Sequence, residues 1–124
     1  KEVIAITGSN GKTIIKEWVV QLAQEDKKIC YSPRSYNSQI GVALSLWQLN
    51  TNYDLGLFEA GISKPNEMTR LQEMIQPTIG IFTNIGSAHQ INFTTIEEKI
   101  QEKLPENGDF MAFLHRLFPN CFLI

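Results

Sequence analysis

The sequence predicts an α/β fold, a mostly parallel sheet with helices on both faces, from three observations. Short apolar runs alternate along the chain with longer stretches of helical spacing. The runs are continuous rather than alternating, as in strands buried on both sides. Three of them end in residues that carry chemistry, at Gly8–Thr13, at Glu59, and at Asn84 with His89. Ligands of such sheets bind beyond the carboxyl ends of the strands.

Taken in order, Val3 to Ile6 reads as a buried strand. Thr7-Gly8-Ser9-Asn10-Gly11 turns the chain. Ile14, Ile15, Trp18, Val19, Leu22 and Ala23 then form the apolar face of a helix over 12–25. Ile29-Cys30-Tyr31 is a second strand, and 32–37 a loop. Ile40, Ala43, Leu44 and Trp47 mark a helix over 39–49. Leu55 to Phe58 is a third strand that finishes at Glu59. Asn66 is an N-cap for a helix carrying Met68, Leu71, Met74 and Ile75, and Pro77 stops it. Ile79 to Phe82 is the fourth strand. A second glycine loop, Ile85-Gly86-Ser87-Ala88-His89, follows it. Thr94 and Thr95 with Glu97 and Glu98 offer capping boxes for a helix with Ile96, Ile100 and Leu104. Phe110, Phe113, Leu114, Leu117 and Phe118 again fit helical spacing, and Phe122 to Ile124 is a last apolar run. This tail reads either as a helix and strand of the sheet or as a cover for neighbouring surface.

The 124 residues suit a single domain, and 43% are hydrophobic, enough for a core. Thirteen acidic and 11 basic residues leave a net charge of −2, which gives no support for nucleic-acid or membrane binding. No apolar run approaches the roughly 18–20 residues of a membrane helix. Cys30 and Cys121 match no metal spacing, so free thiols in a reducing cytoplasm are expected. The chain opens on Lys1-Glu2 without an initiator Met, so a piece of a longer protein is expected.

The stretch from Ile4 to Thr13 carries the most chemistry. A strand, a glycine loop, Lys-Thr and a helix together cradle phosphate. Backbone N–H groups of the loop converge on the anion, and the helix N-terminus adds its positive end. Lys12 reaches β- and γ-phosphates, and the Thr13 hydroxyl ligates Mg²⁺. The spacing departs from the general phosphate-loop pattern, which needs a glycine where Ile6 stands. A carboxylate at Glu59, after the third strand, can hold the same Mg²⁺. His89 stands at the same edge of the sheet, as a ligand or as an ordinary surface histidine. Lys103 reads by itself as a solvated lysine.

Together these pieces resemble the ATP-binding central domain of the Mur ligases, the amide-forming enzymes of peptidoglycan precursor synthesis. Thr7-Gly8-Ser9-Asn10-Gly11-Lys12-Thr13 is similar to the family's short loop, usually written TGTNGKT, in which the Ile6 departure is normal. Three further segments carry the resemblance: Asn37-Ser-Gln-Ile-Gly-Val-Ala-Leu-Ser-Leu46, Glu59-Ala-Gly-Ile-Ser-Lys-Pro-Asn-Glu-Met68 and Thr83-Asn-Ile-Gly-Ser-Ala-His89. Within the family they are most similar to the MurF branch, which adds D-alanyl-D-alanine to UDP-N-acetylmuramoyl-tripeptide. Gln90-Ile-Asn-Phe93 and Lys99-x-x-x-Lys103-Leu104 resemble the form fused to an alanine racemase domain.

The resemblance implies a role for each matching residue. Gly8, Ser9, Asn10, Gly11, Lys12 and Thr13 would bind ATP, with Asn84 beside the nucleotide. Thr13 and Glu59 would hold a first Mg²⁺, and His89 would help hold a second. Lys103 falls at the position of the family's carbamylated lysine, where the modified, anionic side chain orients Mg²⁺. Lys12, His89 and Lys103 are therefore the implied catalytic residues. Asn37 and Ser38 would face the UDP-muramoyl-peptide. The reaction implied runs through an acyl phosphate made from the substrate carboxylate and ATP, which the amine of D-alanyl-D-alanine then opens.

Mur ligases have three domains, and the resemblance, over about residues 3–105, is to the central one, with a tail after Gly108 that departs from it. The N-terminal UDP-binding domain and the C-terminal domain are expected to be absent, and the 124 residues alone are expected to fold as a monomer, bind ATP weakly and not ligate. A sister Mur ligase or a folylpolyglutamate synthetase is the nearest rival reading. A rival of another class is an ATP-binding regulatory module, which has no need of a carbamylated Lys103.

Overall fold

A computed structural model of the chain describes residues 1–61, 67–84 and 120–123. Their elements are β1 (Glu2–Thr7), α1 (Lys12–Ala23), β2 (Ile29–Tyr31), α2 (Gln39–Trp47), β3 (Leu55–Ala60), α3 (Glu67–Ile75), β4 (Ile79–Phe82) and β5 (Asn120–Leu123). The strands form one sheet in the order β2-β3-β1-β4-β5. Every pairing is parallel. Phe122 and Leu123 of the last apolar run thus enter the sheet, with Phe122 opposite Ile81. The expected Asn66 cap, the capping boxes, and the helices over 96–104 and 110–118 lie outside the described residues.

Side chains leave a strand alternately to its two faces, and both faces are covered here. Ile6, Leu57 and Ile81 join Val20 of α1, with Ile4, Ile15, Val19 and Ile29 packed around them. Ala5, Phe58 and Phe82 join Val42 of α2 and Met68, Leu71 and Ile75 of α3 on the other face. This is why the strands read as unbroken apolar runs. Cys30 is buried among the second group, and desolvation raises its thiol pKa above the ordinary value.

Two apolar stripes expected from periodicity are not the faces the helices bury. In α2 the buried residues are Gly41, Val42 and Ser45. Ile40, Ala43, Leu44 and Trp47 point outward, Trp47 with 89% of its surface exposed. This helix is apolar almost all round, so spacing cannot choose its face. Packing chose the small residues, which let it approach the sheet. In α1 the buried residues are Lys12, Lys16 and Val20. Ile15 and Val19 pack inward as expected, but Ile14, Trp18 and Leu22 are exposed. Polar groups at the strand ends draw the two lysines in, and the helix is rotated accordingly.

α3 ends as its sequence demands. Gln76 adopts a left-handed backbone (φ 47°) and its N–H donates to Gln72 O at 2.8 Å. That is a helix C-cap just ahead of Pro77, which cannot continue the helix.

Candidate functional site

The parallel register brings the carboxyl ends of three strands level. Thr7 pairs with Ala60 on one side and Phe82 on the other, and Ile6 pairs with Glu59. From β1 the chain crosses toward β2, and from β4 toward β5. The crevice between β1 and β4 is therefore the point where connections diverge, the usual ligand position in such sheets.

The loop from Gly8 to Gly11 sits over that crevice and is held from β4. Ser9 N–H donates to Asn84 O at 2.8 Å, and Asn10 N–H to Asn84 Oδ1 at 3.0 Å. Thr83 Oγ1 donates to Asn10 O at 2.6 Å, and Thr83 N–H to Thr7 O at 2.9 Å. Gly8 has φ 135°, and a Cβ there would lie 1.9 Å from Thr83 Oγ1. Only glycine fits that approach. Gly11, at φ 83°, opens α1 with no side-chain cap. The helix N-terminus is thereby left to an external anion, which its first-turn N–H groups and dipole favour. Lys12 is buried and its Nζ donates to Gly8 O at 2.9 Å.

Glu59 lies two residues beyond Leu57, so it shares the α1 face of the sheet. Its Oε2 accepts from Thr13 Oγ1 at 3.0 Å. Its backbone N–H donates to Ser32 Oγ at 3.3 Å. The carboxylate is fully buried, and Oε1 accepts no hydrogen bond. Lys16 Nζ is 3.1 Å from that oxygen, an ion-pair distance without hydrogen-bond alignment. The distance and the missing bond are compatible. The ammonium spends donors on the carbonyls of Ser32 (2.8 Å) and Arg34, and Glu17 Oε1 lies 3.1 Å away as well. Removing one partner of such a buried pair typically costs about 3–5 kcal/mol.

A carboxylate whose Oε2 has a lone pair to spare beside a threonine hydroxyl is a donor set suited to a hard divalent cation. Thr13 and Glu59 therefore fit Mg²⁺. Among the described residues no group of three or more His, Cys, Asp or Glu gathers. A cation held there would leave positions for phosphate oxygens and water, the usual manner of Mg²⁺.

Asn37 and Ser38 lie at the start of α2, on the neighbouring strand end. Asn37 O accepts from Gly61 N–H at 2.8 Å, which ties this loop to the end of β3. Ser38 is the N-cap of α2, its Oγ accepting from Gly41 N–H at 3.3 Å. Both line an open cleft with Tyr36, Ile40 and Leu44.

The structure thus gathers Gly8, Ser9, Asn10, Gly11, Lys12, Thr13, Glu59 and Asn84, with Asn37 and Ser38 on the adjoining loop. His89 and Lys103 lie outside the described residues. Sequence reasoning missed Lys16 and Thr83. The only signal for Lys16 is its place one turn after Lys12, on the same helix face. Thr83 opens one of the segments that carry the resemblance, but nothing in its pattern gave it a role. Among the described residues no helix is long and apolar enough to cross a membrane.

Residues 6–105 match the Mur ligase middle domain. The UDP-N-acetylmuramoyl-tripeptide–D-alanyl-D-alanine ligase of Treponema pallidum is 34% identical over 103 residues, covering 83% of this chain and 22% of that protein. The ligase of the same name from Borreliella burgdorferi is 38% identical over 100 residues, covering 81% and 22%. Among solved structures, MurF from Acinetobacter baumannii superimposes with a TM-score of 0.82 at 23% identity, over 99% of this chain and 30% of that one. MurF from Thermotoga maritima in complex with ADP gives 0.80 at 23% identity, over 98% and 32%. The chain spans about a fifth of the length of these curated relatives. With a family match running from the end of β1 through the glycine loop, Glu59 and Asn84 to residue 105, the chain belongs to the Mur ligase family and carries its middle domain.

Proposed function

We propose that this chain is the nucleotide-handling part of an ADP-forming ligase of peptidoglycan precursor synthesis, one that joins D-alanyl-D-alanine to UDP-N-acetylmuramoyl-tripeptide. The observation that carries this reading is the pairing of Thr13 with the buried, half-satisfied carboxylate of Glu59, directly under a glycine loop that opens an uncapped helix. The names of the curated relatives support the acceptor and the amine. The ADP complex of the Thermotoga maritima protein supports the nucleotide.

In this reading the loop and the α1 N-terminus hold the ATP phosphates. Lys12 leaves Gly8 O for the β- and γ-phosphates, where its charge offsets the negative charge spread over the transferring group. Thr13 and Glu59 hold Mg²⁺, which neutralises phosphate oxygens when bound. The substrate carboxylate attacks the γ-phosphorus and ADP leaves. The resulting acyl phosphate is attacked by the amine of D-alanyl-D-alanine, which loses a proton as the amide forms and phosphate departs. Holding the phosphoryl group fixed for the incoming carboxylate is what these residues contribute, since orientation replaces a costly encounter. Asn37 and Ser38 face the muramoyl-peptide from the adjoining loop. His89 helps hold a second Mg²⁺, and Lys103, carbamylated, orients it.

Calorimetry with ATP and Mg²⁺, on this chain and on Lys12→Ala, is the direct test. Binding that weakens at least about tenfold in the variant supports the reading, that being the worth of roughly one charge-assisted contact. Equal binding by both forms would sink it. Product analysis with a panel of amines, on the natural full-length protein, separates D-alanyl-D-alanine from the amines of sister ligases.

A further inference from the structure

Lys16 has no part in the mechanism above, yet its side chain is completely buried. An ammonium has three donors. Two are spent on the carbonyls of Ser32 and Arg34, in the loop after β2. One remains for two carboxylates, each 3.1 Å away: Glu59, wholly buried, and Glu17, whose side chain is 45% exposed. Glu59 therefore has a counter-charge beside Oε1 while that oxygen stays without a hydrogen bond. Its other oxygen is fixed by Thr13, and its backbone N–H by Ser32 Oγ.

We propose that Lys16 is a positioning residue for Glu59: anchored on the Ser32 and Arg34 carbonyls and paired with Oε1, it holds the carboxylate so that Oε2, beside Thr13 Oγ1, meets the divalent cation. The inference rests on the reading of Glu59 as the metal carboxylate. It also ties that carboxylate to the loop that leads into Asn37, so the metal side and the acceptor side of the site share one anchor.

The test is nucleotide affinity with Mg²⁺ and in EDTA, measured on the natural full-length protein. The ratio of the two is the gain due to the cation. In Lys16→Met the gain falls by about tenfold, the effect of losing one contact to a charged group, while affinity in EDTA stays within about twofold. A Lys16 that only braced α1 against the loop would lower both affinities together. That result, or an unchanged gain, overturns the proposal. If Lys16→Met does not fold, Glu17→Ala decides. Its site is half in solvent, so the fold tolerates the change. It releases the shared donor to Glu59 Oε1, which draws the carboxylate toward the ammonium and away from the cation, and the gain falls about threefold. No change in that variant counts against the proposal. A wild-type protein that gains nothing from Mg²⁺ refutes the role of Glu59 itself, and the inference with it. A wild-type gain that both variants preserve refutes the inference alone.

Discussion

At the scale of single residues, the site is built from backbone geometry and a few buried charges. Gly8 is the sharpest case, because the space for a Cβ is already taken by Thr83 Oγ1 and the backbone of Asn84. Gly8→Ala must move the loop off β4 or strain it. The expected loss is about 2–3 kcal/mol of stability, together with nucleotide binding. Thermal melts and calorimetry on the same sample check both, and an alanine variant that binds as the parent does would contradict the close approach. Sequence made Gly8, Lys12, Thr13 and Glu59 legible, since each stands where a strand ends and a loop begins. It did not make Lys16 legible. A lysine on an amphipathic helix reads as solvated, and only the carbonyls and carboxylates gathered from two other segments make its burial tolerable.

Elements are held by local signals, and these survive into the fold. Ser38 is an example. Its side chain satisfies one orphan N–H of α2. Ser38→Ala is expected to cost about 1 kcal/mol, read from chemical denaturation at constant slope. A change within error would mean that the cap contributes nothing. Among the described residues, element existence and order were readable from apolar runs and breakers, with helix ends displaced by only a residue or two, as at α1 and α2. The buried faces were not. For α2, apolar residues occupy nearly every side, so the choice between Ile40–Leu44–Trp47 and Gly41–Val42–Ser45 depends on which side allows the closest approach to the sheet. That is a property of the partner surface, not of the helix.

At the scale of the molecule, the described residues form a five-stranded parallel sheet with both faces covered, and helices that still present aromatic residues outward. Trp18 is 61% and Trp47 89% exposed. Replacing both by Gln is expected to change stability by no more than about 0.5 kcal/mol per site. A loss of several kcal/mol would show that these stripes are packed in solution. Sedimentation of the parent and the double variant shows whether the aromatic rows drive self-association. The sheet order matters to the site more than any one contact does. It places β1 between β3 and β4, so that the loop, Glu59 and Asn84 arrive at one edge from segments up to 74 positions apart.

What the amino-acid sequence determined by itself is the set of parts: parallel α/β architecture, the glycine loop between β1 and α1, the strand-end carboxylate, and the family. These are local facts, written in short-range pattern and motif. Tertiary structure alone decided how the parts are wired. It chose which helix faces turn inward, brought Thr83 and Asn84 against the loop, and buried Lys16 beside Glu59. Each of those outcomes balances desolvation against partners supplied by distant segments, and that balance has no expression in the spacing of a single stretch of chain.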